Sequence, residues 1–465
     1  MQKIWLPITG FICALLVTSF GCGSPLGFNG PAQTMQAANG QLVNVATRAL
    51  SQNPSGERGQ HPYSVIELGT FGGTNCCGVI EVNNKNWVDG TSNLPGDKSF
   101  HPFLWVRGRM IDLGTLGGPN ASVGGLNDRG EVTVGGADTG MSDPLGEDAC
   151  GFGTYQTCLS FVWHDGNRVL IPTLGGNNND VNTVNNRGRV LAISETATRD
   201  PSCIAPQALG VEAFIWNPIS GHIERLPPLA GDSASEGYGF NEQEDVAGWS
   251  GACGKGVDDF TNAHQAVLWR NGKPVGLGSL GGSVAIPFAM NNRDQIVGAS
   301  LLPGNAVYHA FLWTSDDGMR DLGTLPGDSF SIANNINSSG QVAAQSCDVS
   351  SNCRATIWDK GVMTDLNALI PSGSPLFLLF ANSINDSGAV VGAAYDQQTA
   401  TTVPFLAIPR EGEYLLAAQV AARSRKIVLP DRVRKMLQHQ RTSLSRVVDR
   451  AGVPSARYLD SSGHF

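Results

Sequence analysis

The chain has 465 residues, of which 58 are glycine and only 15% are charged, and its formal net charge is −9. Because globular proteins average about 25% charged residues and about 7% glycine, this composition excludes a protein of long charged helices and favours many turns. The acidic balance does not favour nucleic acid, and no nucleic-acid partner is expected. The length suggests roughly three ordinary domains, but one repeat array that closes on itself is the simpler prediction.

The N-terminal segment has the layout of an export signal. Three residues precede an apolar run over residues 4–20, and Gly21 and Cys22 follow it. A small residue before a cysteine also resembles a bacterial lipoprotein signal, in which Cys22 would carry lipid and attach the chain to a membrane. Ordinary cleavage, an uncleaved anchor and a buried N-terminal helix are the alternatives. Residues 1–22 are therefore expected to direct export out of the cytoplasm.

Three sequence landmarks each occur seven times between residues 61 and 409. The first is a strand that ends in a glycine-rich corner, as in I-D-L-G-T-L-G-G at 111–118 and D-L-G-T-L-P-G-D at 321–328. Glycine populates positive φ without steric cost, so paired glycines let the chain leave the strand sharply. Close approach of two backbones is the other use of such a pair.

The second landmark is an asparagine after an apolar residue, followed by two polar residues, usually a glycine, and another apolar run. Asparagine first and glycine fourth fit a type I turn closed by a left-handed residue, which is a hairpin connection. Glu244 stands at the glycine position of one copy and adopts the left-handed region less readily. The asparagines are predicted to be structural, because their side chains satisfy local backbone donors. They are Asn83, Asn127, Asn185, Asn241, Asn291, Asn337 and Asn385.

The third landmark is a run of consecutive apolar residues of the type F-L-W, whose last copy is Phe405-Leu406-Ala407. Consecutive apolar residues indicate a strand buried on both faces. With the strands beside the other two landmarks, each repeat has about four antiparallel strands. Such sheets need a neighbour on each side, which radial closure provides. The sequence therefore predicts an all-β fold, a seven-bladed β-propeller over residues 61–409.

Six tryptophans belong to the F-L-W strands: Trp105, Trp163, Trp216, Trp269, Trp313 and Trp358. Burial in the strand is the predicted role, and stacking of one of them on a sugar is the alternative. The histidines at 101, 264 and 309 also recur at one repeat position. They are predicted to cap a strand rather than to act as bases.

The motif H-A-F-L-W at 309–313, with H-P-F-L-W at 101–105 and H-Q-A-V-L-W at 264–269, resembles the HAF-repeat family of bacterial proteins expected to be extracellular. The resemblance covers residues 61–409, although four repeats lack the histidine and the last lacks the tryptophan. The family is defined by its repeat. The resemblance therefore implies an exported repeat protein and supplies no catalytic residues.

Eight cysteines follow Cys22, and an even number in an exported chain favours disulfides. Cys150 with Cys158, and Cys347 with Cys353, are close enough in sequence to bridge within one loop. A zinc site is the rival interpretation, but no C-x-x-C pair occurs and no histidine has ligand spacing from these thiols. The other four are Cys76, Cys77, Cys203 and Cys253.

The segments outside the repeats differ from them in composition. Residues 23–60, rich in Ala, Gly, Asn, Gln and Ser, are expected to form a flexible tether. Residues 410–465 are basic, and Pro430 and Asp431 fit the start of a helix with apolar residues at helical spacing. This tail could dock on the acidic propeller, lie on a membrane surface, or stay disordered and bind a partner.

No catalytic motif occurs in the sequence: G-x-S-x-G, a phosphate loop, H-E-x-x-H and the Asp-box of sialidase propellers are all lacking. No catalytic residue and no cofactor is therefore assigned. One acidic insertion offers oxygen ligands for calcium, although it lacks the spacing of a defined calcium loop, and solvated loop charge is the default. Its acidic residues are Asp138, Asp143, Glu147 and Asp148.

These features favour an exported binding or scaffold propeller, secreted or lipid-anchored at the cell envelope, with a glycan or an envelope protein as partner. The alternative is a secreted hydrolase or lyase that acts on polysaccharide, with carboxylates in or near the central channel. In an antiparallel meander the connections before the F-L-W strands share a face with the glycine corners. These connections vary most in length, so a ligand site is predicted on that face near residues 137–160, 194–213 and 249–266.

Overall fold

The computed structural model describes residues 62–73, 78–256, 262–410 and 426–438, together with the backbone of two short strands before them. The strands are, in chain order, β1 (Thr34–Gln36), β2 (Leu42–Val43), β3 (Tyr63–Glu67), β4 (Gly78–Val82), β5 (Val88–Asn93), β6 (Phe100–Val106), β7 (Arg109–Asp112), β8 (Ser122–Leu126), β9 (Val132–Ser142), β10 (Gln156–His164), β11 (Asn167–Leu170), β12 (Gly175–Val184), β13 (Val190–Arg199), β14 (Leu209–Trp216) and β15 (Ile223–Leu226).

The strands of the second half repeat the same order. They are β16 (Ala234–Phe240), β17 (Val246–Gly251), β18 (Ala263–Arg270), β19 (Lys273–Gly278), β20 (Ala285–Met290), β21 (Ile296–Leu301), β22 (Tyr308–Thr314), β23 (Gly318–Gly323), β24 (Phe330–Ile336), β25 (Val342–Cys347), β26 (Cys353–Asp359), β27 (Val362–Asp365), β28 (Leu376–Ile384), β29 (Val390–Asp396) and β30 (Thr401–Pro409). One 3-10 turn, Leu366–Ala368, follows β27.

These strands form seven antiparallel sheets, each a blade in which consecutive strands pair from the channel outward. Blades 1 to 6 begin with β4, β8, β12, β16, β20 and β24, and blade 7 contains β28 to β30. The seven-bladed propeller with four antiparallel strands per blade is therefore confirmed. The number of landmark copies predicted the number of blades because each landmark lies at one fixed position in a blade.

The circle closes with a strand from the opposite end of the repeat array. β3 precedes the first blade in sequence but pairs with β30 of blade 7, from Tyr63 opposite Pro409 to Glu67 opposite Phe405. β1 and β2 add a fifth strand to the outer edges of blades 2 and 1. Both lie in residues 23–60, for which the sequence predicts a tether, and the remainder of that segment lies outside the described residues.

The apolar core lies between the blades. The phenylalanines of the F-L-W strands, such as Phe103 and Phe311, have no solvent exposure, and five of the six tryptophans are buried. Trp313 is partly buried and packs against the same apolar cluster as Phe311. The prediction that these strands are buried on both faces is therefore confirmed, and the tryptophans serve the packing between blades.

The two ends of the propeller carry different connections. The turn face carries the asparagine turns between the first and second strands of each blade and the hairpins between the third and fourth strands. The loop face carries the connections between the second and third strands and the glycine corners between blades. Gly117 (φ 115°) and Gly281 (φ 101°) in these corners adopt the positive φ that the sequence predicts.

The asparagine turns link the blades to one another. In Asn385, Oδ1 accepts the N–H groups of Ser387 (3.1 Å) and Ala389 (2.9 Å) in its own turn. Its Nδ2 donates to the backbone carbonyl of Asn83 in blade 1 (2.9 Å). Five further junctions carry the same amide-to-carbonyl bond, and at the remaining junction Asn241 donates to the side chain of Asp294. The predicted local role is confirmed, and the contact with the next blade is an addition to it.

Each of the three repeated histidines pairs with an aspartate: His101 and His309 with one on the outer strand of the same blade, and His264 with Asp232 in the corner before blade 4 (3.1 Å). His101 Nδ1 lies 2.9 Å from Asp112, and His309 Nδ1 lies 2.9 Å from Asp321. Asp321 also accepts the N–H of Gly323, which fixes the glycine corner (2.7 Å). The histidines therefore hold the third strand against the corner instead of capping a strand end. The corresponding positions of blades 3 and 6 carry the pairs Glu212–Arg225 and Arg354–Asp365.

A helix over residues 431–438 docks on the loop face. It starts directly after Pro430, as the sequence predicts. Val433 and Leu437, each 3% exposed, belong to the same apolar cluster as Ile286 and Phe380 at the inner strands. Upstream, the N–H of Leu429 donates to Asn352 Oδ1 (3.0 Å) and Lys426 lies 3.5 Å from Asp328. Of the three alternatives for the tail, these residues adopt the docked one, and residues 439–465 lie outside the described part.

Candidate functional site

Three long connections form a continuous structure on the loop face, which we call the loop wall (residues 143–155, 200–208 and 252–262, of which 257–261 are not described). A disulfide between Cys203 and Cys253 joins its second and third loops. The N–H of Ile204 donates to the carbonyl of Gly254 beside it (2.9 Å). The loops that the sequence singles out for ligand binding therefore lie together, and their binding role stays a prediction.

All six cysteines in the described residues are oxidised. Cys150 bonds to Cys158, and Cys347 bonds to Cys353, which are the two pairs that the sequence spacing favours. Asp200, Cys203 and Cys253 are the only described group of three or more Asp, Glu, His or Cys residues whose ligand atoms all lie within 4.8 Å of one another. Because both sulfurs belong to a disulfide, neither is a thiolate for zinc. Cys76 and Cys77 lie outside the described residues, as does Cys22.

The four calcium candidates do not converge on one point. Both oxygens of Asp138 accept side-chain hydrogen bonds, from Asn120 Nδ2 (3.2 Å) and Thr154 Oγ1 (2.8 Å). Both oxygens of Asp148 accept the N–H of Gly153 at 3.0 Å. Burial raises the pKa of Asp138 against these hydrogen bonds. Asp143 and Glu147 lie apart from these two, buried toward blade 3.

The central channel holds a cavity of about 390 Å³. In every blade the first strand carries a β-bulge three residues before the turn asparagine, where one extra residue stands opposite the second strand. A bulge changes the direction of a side chain within a sheet. All seven bulge residues line the cavity: Ile80, Gly124, Asn182, Tyr238, Phe288, Asn334 and Asn382.

The bulge residues give the cavity amide and aromatic walls. Asn334 Nδ2 donates to the carbonyl of Ala381 (2.8 Å), and the amide of Asn382 donates to the carbonyl of Val79 in the next blade. These bonds hold the Nδ2 ends against the blades. In blades 4 and 5 the rings of Tyr238 and Phe288 meet edge to face, with centroids 6.0 Å apart. The cavity therefore offers polar groups and apolar ring surface together.

Glu81, next to the bulge of blade 1, brings a carboxylate into the cavity. It reaches across the first strand of blade 2 and accepts the N–H of Leu126 (2.9 Å). Gly125 leaves the space for it, because a Cβ there would lie 2.8 Å from Glu81 Oε2. Burial raises the pKa of Glu81 to about 7, against the hydrogen bond from Leu126. Glu81 therefore exchanges a proton near neutral pH.

Asp89 lies directly behind Glu81 on the second strand of blade 1. It has no solvent exposure, its Oδ1 accepts the N–H of Glu81 (2.7 Å), and its Oδ2 has no hydrogen-bond partner. Burial, and then the charge of Glu81, raises the pKa of Asp89 well above its ordinary value. Asp89 is therefore favoured in its neutral form and positions the Glu81 backbone.

Two further carboxylates line the same cavity from blades 3 and 4. Glu236 Oε1 accepts Asn182 Nδ2 (3.3 Å) and its Oε2 accepts the indole N–H of Trp249 (3.2 Å). Asp180 accepts the N–H of Val181 (2.7 Å). Acidic side chains from three blades thus line the channel cavity. The sequence did not single out these residues, because a bulge shifts which side chain of a strand points to the channel.

No protein-family model matches this chain, and no curated protein matches it. Among solved structures it is similar to an oligogalacturonate lyase in complex with manganese, at 10% identity and a TM-score of 0.43, over 82% of this chain and 98% of that one. TolB from Acinetobacter baumannii gives 12% identity and a TM-score of 0.33, over 55% and 60%. Trypanosoma rangeli sialidase gives 8% and 0.34, over 80% and 60%. At these scores the likenesses carry no conclusion about activity.

No helix within the described residues combines the length and the apolar character that a membrane crossing requires.

Proposed function

We propose that the protein is a binding propeller that takes a polar, carbohydrate-like ligand in the channel cavity. The observation that carries the proposal is the ring of bulge residues, all of which line a cavity of about 390 Å³. This volume lies within the range of small-molecule sites, about 300–1,000 Å³. Amides and carboxylates bond hydroxyl groups, and aromatic rings cover apolar ring faces, which is the pairing that a sugar needs.

The loop face supports a route to the cavity. Its loop wall lies on blades 2 to 4, whereas the segment that leads into the helix contacts the other side of the face, where Lys426 lies 3.5 Å from Asp328 and the N–H of Leu429 donates to Asn352. We propose that the ligand enters on the side of the loop wall. On the turn face the hydrogen-bonded asparagine turns surround a smaller space of about 190 Å³.

The test is a glycan array probed with the purified protein, followed by calorimetry with the best oligosaccharide. The double variant Asn334→Ala, Asn382→Ala should lose binding, because it removes two amides of the cavity and leaves the turn asparagines intact. Asn167→Ala, an exposed asparagine on the outer strand of blade 2, is the matched control and should bind as the parent does. Equal binding by the double variant would place the ligand outside the channel.

A second candidate function is a polysaccharide hydrolase or lyase. Glu81 favours it, since a general acid or base works best with a pKa near the operating pH, and Glu236 and Asp180 line the same cavity. A panel of polysaccharides would be followed for new reducing ends and for unsaturated products, which separate hydrolysis from elimination. Glu81→Gln should abolish turnover while oligosaccharide binding persists. Turnover unaffected by Glu81→Gln would reject the role of Glu81.

We further propose that the chain is exported and attached to a membrane through lipid on Cys22. The three disulfides support an oxidising compartment, where such bonds persist. The repeats at 101–105 and 309–313 support membership in the HAF-repeat family. Metabolic labelling with palmitate in a bacterial host tests the attachment. Labelling should be lost in Cys22→Ser, and unchanged labelling would contradict it.

A further inference from the structure

A second polar cluster lies between the loop wall and the strands of blade 3, outside the channel cavity. Asp143 and Glu147 come from the loop of blade 2, Asn178 and Glu195 from the first two strands of blade 3, and Gln207 from the loop of blade 3. All five are buried, and Glu147 and Glu195 have no solvent exposure. None of the three carboxylates forms an ion pair with a Lys, Arg or His in the part of the chain that the structure describes.

Neutral donors surround two of these carboxylates. Glu195 Oε1 accepts Asn178 Nδ2 (3.0 Å) and Gln207 Nε2 (2.9 Å), and its Oε2 accepts two backbone N–H groups at 3.0 Å. The amide of Asn178 also donates to Asp143 Oδ2 (3.0 Å). Hydrogen bonds from amides orient the carboxylates but bring no positive charge to balance them.

Two oxygens of the cluster are buried without a partner. Glu147 Oε1 accepts the N–H groups of Ala208 (2.7 Å) and Leu209 (3.0 Å), whereas its Oε2 accepts none. Gln207 Oε1 also has no partner, although its Nε2 bonds to Glu195. Burial, opposed by hydrogen bonds and assisted by the charge of Glu147, raises the pKa of Glu195 to about 7. Gln207 Nε2 also donates to the carbonyl of Leu209 (3.0 Å), whose N–H bonds to Glu147, so a single residue connects the two glutamates.

We infer that this cluster binds a divalent cation of the calcium type, with Glu147, Glu195 and Gln207 as its side-chain ligands. Calcium prefers carboxylate, amide and carbonyl oxygens and takes about six to eight of them, with water completing the shell. The unpartnered Glu147 Oε2 supplies one ligand atom. A half-turn of the Gln207 amide brings its free Oε1 to Glu195 in place of Nε2, and it gives up the bond from Nε2 to the carbonyl of Leu209. The cation would neutralise two carboxylates that otherwise repel each other.

Such a site would tie the loop of blade 2 to blade 3 and its loop. Because the Cys203–Cys253 disulfide already ties the loops of blades 3 and 4, the loop wall would then be linked along its whole length. Only Asp143 and Glu147 of the four sequence candidates belong to the cluster. Glu195 and Gln207 come from another blade, so no loop motif in the sequence could reveal them.

The test uses the full chain, stripped with EDTA and dialysed at pH 7.5 with no oligosaccharide present, so its outcome is independent of channel binding. Titration with calcium chloride should give one site per chain by calorimetry and raise the melting temperature. Glu147→Gln and Glu195→Gln should each lose the calcium heat and the temperature shift. Asp148→Asn, a neighbour in the same loop that bonds to Gly153, is the matched control and should keep both.

Gln207→Leu keeps both carboxylates and removes the amide ligand, so it should weaken calcium binding even if a glutamate variant fails to fold. No heat and equal melting temperatures of the parent in calcium and in EDTA would overturn the inference. Calcium binding that persists in Glu147→Gln and Glu195→Gln would overturn it as well. If Glu147 and Glu195 share a proton instead of binding a cation, calcium should give no heat and no change in melting temperature. The stability of the parent should then change between pH 5 and 8.

Discussion

The turn face and the loop face are built from the same seven repeats and use them in opposite ways. On the turn face every blade carries the same asparagine, and six of the seven bond to the backbone of the next blade. On the loop face the connections differ in length and carry the disulfides and the docked helix. The repeated asparagine bonds of the turn face thus hold the circle of blades closed. The connections of the loop face do not form these bonds, and they differ from blade to blade.

The largest effect is expected on the loop face, where a disulfide joins two blades. The double variant Cys203→Ala, Cys253→Ala should lower the free energy of unfolding by about 4 kcal/mol, because the bond closes a long loop. The matched pair Cys347→Ala, Cys353→Ala opens a loop with a sequence separation of 6 instead of 50. It should cost about 2 kcal/mol by the same entropy. Urea unfolding measures both, and equal losses would contradict the prediction.

The next effect is on the turn face. Asn385→Ala removes the acceptor of its own turn and the donor to blade 1, so it should cost about 3 kcal/mol at roughly 1 kcal/mol for each hydrogen bond. Asn385→Asp keeps the acceptor but sets a second carboxylate oxygen against the carbonyl of Asn83 and Oδ1 of Asn86, to which Nδ2 donates in the parent, so it should cost at least as much. Both are measured by urea unfolding. If the aspartate variant is as stable as the parent, the bond between blades contributes nothing to closure.

The channel runs between the two faces, and Glu81 makes it sensitive to pH. The pKa of Glu81 is about 7 in the folded protein, which exceeds its value in the unfolded chain. The carboxyl therefore leaves the free energy of unfolding unchanged at low pH and lowers it as the pH rises from about 4 through 7. Glu81→Gln should therefore raise the free energy of unfolding at pH 8 by about 2 kcal/mol and leave it unchanged near pH 4. Urea unfolding at both pH values measures the difference. A gain of the same size at both would contradict the raised pKa.

The smallest effect concerns a repeated contact of the loop face. Burial alone would raise the pKa of Asp321, but the hydrogen bonds from His309 and Gly323 lower it. The hydrogen bonds that lower this pKa stabilise the folded protein above the ordinary pKa of aspartate. This stabilisation is lost as the pH falls through the lowered pKa of Asp321. His309→Ala should cost about 0.5 kcal/mol at pH 7, because the pair is partly exposed. A loss above about 2 kcal/mol in thermal unfolding would mean that the pair is far more than a surface contact.

The sequence predicts the blades well because each landmark satisfies a local requirement. The F-L-W runs require burial on both faces, the glycine corners require positive φ, and the turn asparagines bond to their own turns. Cys150 with Cys158 could be paired because both lie in one loop. The start of the helix after Pro430 is equally local.

Contacts between blades could not be predicted in the same way. The pairing of Cys203 with Cys253, and of Glu147 with blade 3, depends on which loops the circle brings together. The channel residues depend on the bulge, which moves Asn182 and Tyr238 to the channel side of their strands. Glu244 stands at the glycine position of its turn, where a left-handed backbone is needed. In the structure it adopts a φ of 68°, and its side chain pairs with Arg189 at 3.1 Å.

The bulge in the first strand of each blade is a position whose residue varies between repeats, beside turn residues that do not vary. The extra residue stands outside the regular pairing of the strand, so its identity is not fixed by the partner strand. Across the seven repeats this position holds glycine, isoleucine, asparagine, tyrosine and phenylalanine, whereas the turn asparagine three residues later never changes. Seven single positions around the channel axis can therefore differ in identity, one at a time. Substitutions there would change the lining of the cavity and leave the paired strands and the turn asparagines unchanged.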